Sequence, residues 1–326
     1  MYKLAFNDEN KSKISRKGGI QVIISTMKKN DSHASVQKES LKVLYNLAFD
    51  TENKTTISSG GGIQVIIRTM KKYIDNVDIL KEVCKSLRNL SNNNSANKMI
   101  ISREGGIQAI IDIMGKHIAN ANLQKEVYRV LRSLTSNNIE NTGIFSKKDY
   151  IGVIICTMRI NSDHVDVQEE VCKTLRNLAT DDEHKLTISS QGGIQMIIRS
   201  MTKHVNEAKL QNEACKVLYS LSFNKENKMI ISRESGIEAI ICSMKKHIGH
   251  LDIQTEACKL LSNIAYDRED RFSFPREDGI EAIVGALKEH NMDIHEVACT
   301  ALCNLAFIQE NRIKITLLRV IFIRFS

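Results

Sequence analysis

The chain has 326 residues, 42% of them apolar, with one proline, no tryptophan and a formal charge of +8. Aromatic residues make up only 5%, which suits helices packed through aliphatic side chains and argues against a sandwich or barrel of many short strands. No run of about eighteen apolar residues occurs, so no membrane-spanning helix is expected, and the basic balance biases the surface toward peptides, phosphorylated segments, nucleic acid or anionic lipid.

From the N-terminus, "MYKLAFNDEN" lacks the apolar centre of a secretory signal, and Tyr2 stands where myristoylation needs glycine. The expected location is the cytoplasm, with the nucleus as an additional one. "YKLAFNDENK" from Tyr2 matches "YNLAFDTENK" from Tyr45, so the chain is expected to open inside a repeated helix. Junction isoleucines then recur at Ile20, Ile63, Ile107, Ile151, Ile194, Ile237 and Ile280, spaced by 43 or 44 residues, with a final spacing of 41 to Ile321. A fixed period in the 40s marks stacked helical units or propeller blades, and no period-two strand pattern supports blades.

Within one unit, Ile63, Ile66, Ile67 and Met70 form one helical stripe, and Val83, Leu87 and Leu90 form another with Cys84 at its edge. A shorter helix is expected over "NKMIISRE", opened by Asn97 as a cap. Glycine pairs such as Gly61 with Gly62, Gly105 with Gly106 and Gly192 with Gly193 separate the short helix from the next. One unit cannot bury both stripes alone, so stability must come from stacking neighbours. At the fourth junction Asp149 and Tyr150 replace the glycines, which predicts local distortion. The far end stops just after a first helix, with "LRV" in place of glycines.

Three helices per unit, a glycine hinge, the period and the run "SLRNLSNNNSANKMIISREGGIQAII" together resemble the armadillo repeat family, whose third helix typically ends in asparagine, leucine and a small residue. The resemblance implies an all-α, right-handed superhelical solenoid in which third helices line a concave groove. Residues 1–326 are expected to form a single array of about seven repeats, incomplete at both ends. Uncapped ends of such an array invite end-to-end self-association.

The expected binding face is the solvent side of the third helices. Its asparagine position holds Asn46, Asn89, Ser133, Asn177, Ser220, Asn263 and Asn304; four residues earlier stand Lys42, Lys85, Arg129, Lys173, Lys216, Lys259 and Thr300. Arg88, Arg132 and Arg176 add charge between them, with Tyr45 and Tyr219 at the equivalent place. An amide both donates and accepts, so it suits the backbone of an extended peptide, while cations beside it select carboxylates or phosphates. Glu39, Glu82, Glu126, Glu170, Glu213 and Glu256 each precede the cationic rung by three residues, and such pairs partly neutralise the strip. Peptide-transporting armadillo proteins hold basic peptides against tryptophans; here the corresponding place is cationic, which disfavours that ligand.

Other chemistries fit less well. Cys84, Cys172, Cys215, Cys258 and Cys299 share one repeat position beside the core stripe, unlike the short spacings of metal ligands. His117, His204, His247 and His290 recur at the end of the second helix, where an imidazolium favours the negative helix end. Gly60 to Gly62 precede no Lys-Ser or Lys-Thr, so a phosphate loop is excluded. Glycosylation triplets at Asn10 and Asn53 coincide with expected helix caps. No nucleophile, base and acid stand together, and neither an enzyme nor a cofactor or metal site is expected. The expected function is a protein-interaction scaffold for an extended acidic or phosphorylated segment. The alternatives are a nucleic-acid-binding solenoid and a spacer or self-assembling segment of a larger protein.

Overall fold

The computed structural model describes residues 8–146, 150–266, 276–287 and 292–316. The opening helix expected around Tyr2, with Leu4 and Phe6, lies outside them, as do Asp149, His290 and the closing stretch around Ile321. Every regular element among the described residues is a helix. The chain divides into two compact units, Met1–Val153 and Ile154–Ser326.

In the first unit, each repeat runs from a short helix through a middle helix to a long one: α1 (Asp8–Arg16), α2 (Gly19–Lys29), α3 (Ala34–Leu47); α4 (Thr51–Ser59), α5 (Gly62–Lys72), α6 (Val77–Ser91); α7 (Ser95–Arg103), α8 (Gly106–Lys116), α9 (Ala121–Thr135). The third helices pack side by side, α3 on α6 and α6 on α9, and the middle helices do the same, α2 on α5 and α5 on α8. Both predicted stripes are fully buried between these layers, including Ile63, Ile66, Met70, Val83, Leu87 and Leu90.

The short helices start on a side chain that accepts from the third backbone N–H beyond it: Asp50 from Asn53 at 2.9 Å, Asn94 from Asn97 at 2.9 Å and Asn138 from Asn141 at 2.8 Å. The cap is therefore Asn94, three residues before the expected Asn97. Asn97 is buried instead, and its amide donates to the Leu90 carbonyl at 2.9 Å, closing the end of the preceding third helix. Asn53 is buried in the same way, which seals its glycosylation triplet.

The glycine pair has two separate causes. Gly105 sits at φ 74°, a left-handed conformation costly for residues with a Cβ. On Gly106 a Cβ would lie 2.7 Å from the Ile101 carbonyl oxygen, inside contact distance.

The fourth junction departs from this pattern as expected. Its first helix, α10 (Ile139–Gly143), has 5 residues where α7 has 9, and it continues into a 3-10 turn over Ile144–Ser146. Phe145 and Tyr150 meet edge to face at 5.9 Å and are both buried, and the Tyr150 hydroxyl donates to Gln108. The boundary between the units falls inside the next helix, α11 (Tyr150–Ile160).

The second unit repeats the scheme with α12 (Val165–Leu178), α13 (Asp182–Ser190), α14 (Gly193–Lys203), α15 (Ala208–Leu221), α16 (Lys225–Arg233), α17 (Gly236–Lys246), α18 (Leu251–Tyr266), α19 (Arg276–Ala286) and α20 (Met292–Leu305); residues 309–316 are helical. Third helices α12, α15, α18 and α20 pack in succession, as do middle helices α14, α17 and α19. The fold is an all-α repeat solenoid.

A recurrent glutamine ties the middle helix to the third. Gln124 donates to the Met114 carbonyl at 2.8 Å and to the His117 carbonyl at 2.9 Å, while Gln211 serves Met201 and His204 identically at 2.9 Å. Gln37, Gln168 and Gln254 do the same. The second carbonyl of each pair also accepts a backbone N–H, that of Asn120 on His117 at 2.9 Å and that of Glu207 on His204 at 3.0 Å, so the glutamine adds a side-chain donor to buried carbonyls at the helix end.

Candidate functional site

The third helices carry the site, and the packing order places their side chains within each unit. In the first unit Lys42, Lys85, Arg88, Arg129 and Arg132 are half-buried along α3, α6 and α9; in the second, Lys173, Arg176, Lys216 and Lys259 are half-buried along α12, α15 and α18. The long aliphatic stems lie on the surface while the charged heads reach outward.

Most of those heads are held by glutamates. Lys42 meets Glu39 at 2.5 Å, Lys85 meets Glu82 at 2.9 Å and Lys259 meets Glu256 at 3.0 Å, each within one helix. Lys173 is held by Glu169 and, at 3.6 Å, by Glu170. Two glutamates bridge successive repeats: Glu126 holds Arg129 at 2.8 Å and Arg88 at 3.3 Å, and Glu213 holds Arg176 at 3.0 Å and Lys216 at 3.5 Å. The ladder is thus a chain of ion pairs: the glutamates one turn before the rungs pair as their spacing suggests, and Glu126 and Glu213 add bonds across repeats.

The asparagines differ more. Asn46 and Asn89 are only 3% and 8% exposed, off the solvent strip expected for them. The Asn89 amide donates to the Tyr45 carbonyl of the preceding third helix at 3.1 Å. Asn263 donates to Ser222 at 3.1 Å through the carbonyl and 2.7 Å through the hydroxyl, and Asn304 donates to the Ser262 carbonyl at 3.0 Å. Asn177 is half-buried on α12. The amide N–H groups of Asn89, Asn263 and Asn304, which spacing assigns to a ligand, therefore stitch one repeat to the next.

The histidines at the middle-helix ends also stitch repeats. Nε2 of His117 donates to Ile74 O, of His204 to Ser162 O and of His247 to Val205 O, each at 2.7 Å. Burial pushes the thiols of Cys84, Cys215 and Cys258 up to about 12 and raises Cys172 as well. Cys299 differs from these repeat mates in being exposed. Desolvation lowers the lysines Lys54 and Lys98, whose ammonium groups donate across repeats to Asn92 O at 2.7 Å and Ser136 O at 2.5 Å.

A second feature of the face escaped the spacing argument. Three residues beyond the asparagine position stand Phe49 in the first unit and Phe223, Tyr266 and Phe307 in the second, all exposed. Tyr45 meets Phe49 edge to face at 5.3 Å, and Tyr219 meets Phe223 at 4.9 Å. Lys11 lies 5.6 Å from the centre of the Phe49 ring and Lys228 6.0 Å from that of Tyr266. The signal was present as "NLAF", "SLSF" and "NIAY", but scarce aromatics read as a bulk percentage hide a register.

The family model of the GAC ARM domain matches residues 9–274. The chain belongs to this armadillo-repeat family. Armadillo architecture also appears in the solved structures it resembles. An engineered protein superposes with a TM-score of 0.82 at 22% identity, over 94% of this chain and 72% of that one. A designed armadillo repeat protein in complex with the peptide (KR)4 gives 0.65 at 12% identity, over 74% and 99%. A structure from work on the phosphorylation switch controlling the interaction between cadherin and beta-catenin gives 0.54 at 16% identity, over 96% and 69%. At these identities the likeness concerns the fold alone. No curated protein matches the armadillo chain in sequence. Among the described residues no helix is long and apolar enough to cross a membrane, and no group of histidine, cysteine and acidic side chains is placed to hold a metal ion.

Proposed function

We propose that the chain is a non-enzymatic interaction scaffold whose third-helix faces hold an extended acidic or phosphorylated segment of a partner protein, in the cytoplasm or the nucleus, and that its two units act as one array. The carrying observation is the recurrence of half-buried cations at one register of successive packed third helices. Two structurally similar armadillo proteins come from work on a peptide complex and on a phosphorylation-controlled protein interaction, which supports the class of function.

The glutamate pairing sharpens the ligand preference. A ligand carboxylate must exchange with a resident carboxylate of equal charge, so it gains little. A phosphoryl group carries roughly −1.5 to −2 at neutral pH and three acceptor oxygens, so it outcompetes a single glutamate. Phosphorylated segments are therefore preferred over merely acidic ones. Nucleic acid is disfavoured because the glutamates interleave with the cations along the same strip.

Isothermal titration of a phosphorylated acidic peptide against the wild type and against the joint charge reversal Lys85→Glu, Lys173→Glu and Lys216→Glu tests this. A loss of at least about tenfold is expected, since each charge-assisted contact contributes about 1.5–3 kcal/mol. Unchanged affinity removes these rungs as the binding site.

A further inference from the structure

The ion-pair ladder is not uniform along its length. At Glu126 and Glu213 two cations from successive third helices converge on one carboxylate: Arg88 of α6 at 3.3 Å and Arg129 of α9 at 2.8 Å in the first unit, Arg176 of α12 at 3.0 Å and Lys216 of α15 at 3.5 Å in the second. At Glu82 and Glu256 a single cation meets the carboxylate, Lys85 at 2.9 Å and Lys259 at 3.0 Å. The difference has a cause in the sequence. In the preceding repeat, the residue before the asparagine position is Arg88 or Arg176 at the first kind of node and Tyr45 or Tyr219 at the second, and a phenol brings no charge.

Counted over these contacts, each two-cation node keeps one positive charge in excess, and each single-cation rung keeps none. The carboxylate is also the most covered member of its node. Glu126 and Glu213 are each 12% exposed in their side chains, against 25% and 29% for Arg88 and Arg129 and 35% and 28% for Arg176 and Lys216. The cations therefore lie on the solvent side of the glutamate that gathers them. Arg88 and Arg176 each give that glutamate a single Nη, and a guanidinium has five N–H donors in all.

Charge and donor count select the ligand. Two cations around one carboxylate match a dianion. A phosphoryl group carries roughly −1.5 to −2 at neutral pH and three acceptor oxygens, so it can accept from both cations at once. A ligand carboxylate brings one charge and two oxygens, which is what the resident glutamate already supplies.

We propose that each unit carries a phosphate seat, Arg88 with Arg129 around Glu126 in the first and Arg176 with Lys216 around Glu213 in the second, and that each takes one phosphorylated side chain of a partner segment. This rests on the reading of the third helices as a segment-binding face and assigns its phosphate contacts to two places. Lys85 and Lys259 then serve as solvated ion pairs.

Fluorescence anisotropy of a labelled seven-residue peptide with one central phosphoserine and alanine flanks tests the proposal on the full chain. Binding is expected to weaken severalfold when either pair is neutralised, as Arg88→Gln with Arg129→Gln or as Arg176→Gln with Lys216→Gln. Neutralising both pairs should weaken it about tenfold or more, whereas Lys85→Gln with Lys259→Gln should leave it within about twofold. If the four-site variant melts early, Lys216→Arg keeps the ion pair and should tighten binding through a planar, two-pronged donor. A peptide with glutamate in place of phosphoserine should bind at least about tenfold more weakly. Equal affinity of the four-site variant, equal losses at Lys85 and Lys259, or equal binding of the glutamate peptide overturns the seats. Those outcomes leave the segment-binding face to be judged by the separate titration of Lys85→Glu, Lys173→Glu, Lys216→Glu with the longer acidic phosphopeptide. Inorganic phosphate competing at the peptide's own affinity overturns the assignment to a partner segment and makes the nodes a site for free phosphate.

Discussion

The carboxylate of Glu126 lies 3.3 Å from the guanidinium of Arg88, which belongs to the preceding repeat, while it also holds Arg129 of its own helix at 2.8 Å. One acidic side chain thereby fastens two rungs. Glu126→Gln removes the charge and keeps the shape, so it should release both arginines. The expected outcome is a severalfold gain in phosphopeptide affinity by titration, with stability lowered by about 1 kcal/mol at most, because the guanidiniums are partly screened by water.

Gln124→Ala should be more harmful to the fold than any rung variant. It removes two buried hydrogen bonds at the end of α8; the His117 carbonyl keeps the Asn120 N–H, so the cost is that of two hydrogen bonds, about 0.5–1.5 kcal/mol each, plus the lost packing. A fall in the thermal midpoint well beyond that of Lys85→Ala is expected by circular dichroism. Equal midpoints would show that the two Gln124 hydrogen bonds add nothing net to stability.

The glycine pair gives a three-way contrast. Gly105→Asn should be nearly neutral, because asparagine tolerates the left-handed conformation. Gly106→Ala should cost about 1–3 kcal/mol, since its Cβ meets a backbone oxygen that cannot swing aside. Gly115→Ala, within α8 and with nothing within 4 Å, should stabilise by up to about 1 kcal/mol. Urea midpoints of the three variants check the order.

Thiol chemistry should divide the cysteines by burial. Iodoacetamide near neutral pH should label the exposed Cys242, Cys299 and Cys303, while Cys84, Cys172, Cys215 and Cys258 react only on unfolding; peptide mass spectrometry reads the sites. In the folded state Cys84 titrates at about 12, against 9.0 when unperturbed. The native chain therefore keeps a proton that the unfolded chain loses, and the thiol's contribution to stability falls as pH rises from about 9 toward 12. Cys84→Ala should make the thermal midpoint less sensitive to pH in that range.

Much of the fold was legible in residue order. The stripe of Ile63, Ile66, Ile67 and Met70 and that of Val83, Leu87 and Leu90 lie buried in the helices assigned to them. The Gly105 and Gly106 junction needs both glycines for reasons local to the chain. Where Asp149 and Tyr150 interrupt the pattern, the first helix shortens. The cap at Asn94 was missed by one turn, because Asn94 and Asn97 are both competent caps and only burial tells which one faces the N–H groups.

The candidate site was legible in identity but not in contact. Period and side-chain type determine which residues share a face, since helical geometry repeats with every turn and the repeat copies it. Which atom meets which across two repeats depends on the offset between packed helices, and that offset comes from how the buried stripes interlock. Tertiary packing alone therefore turned the Asn89 amide toward the Tyr45 carbonyl, brought Glu126 to Arg88, and lined up Phe223, Tyr266 and Phe307 on successive helices.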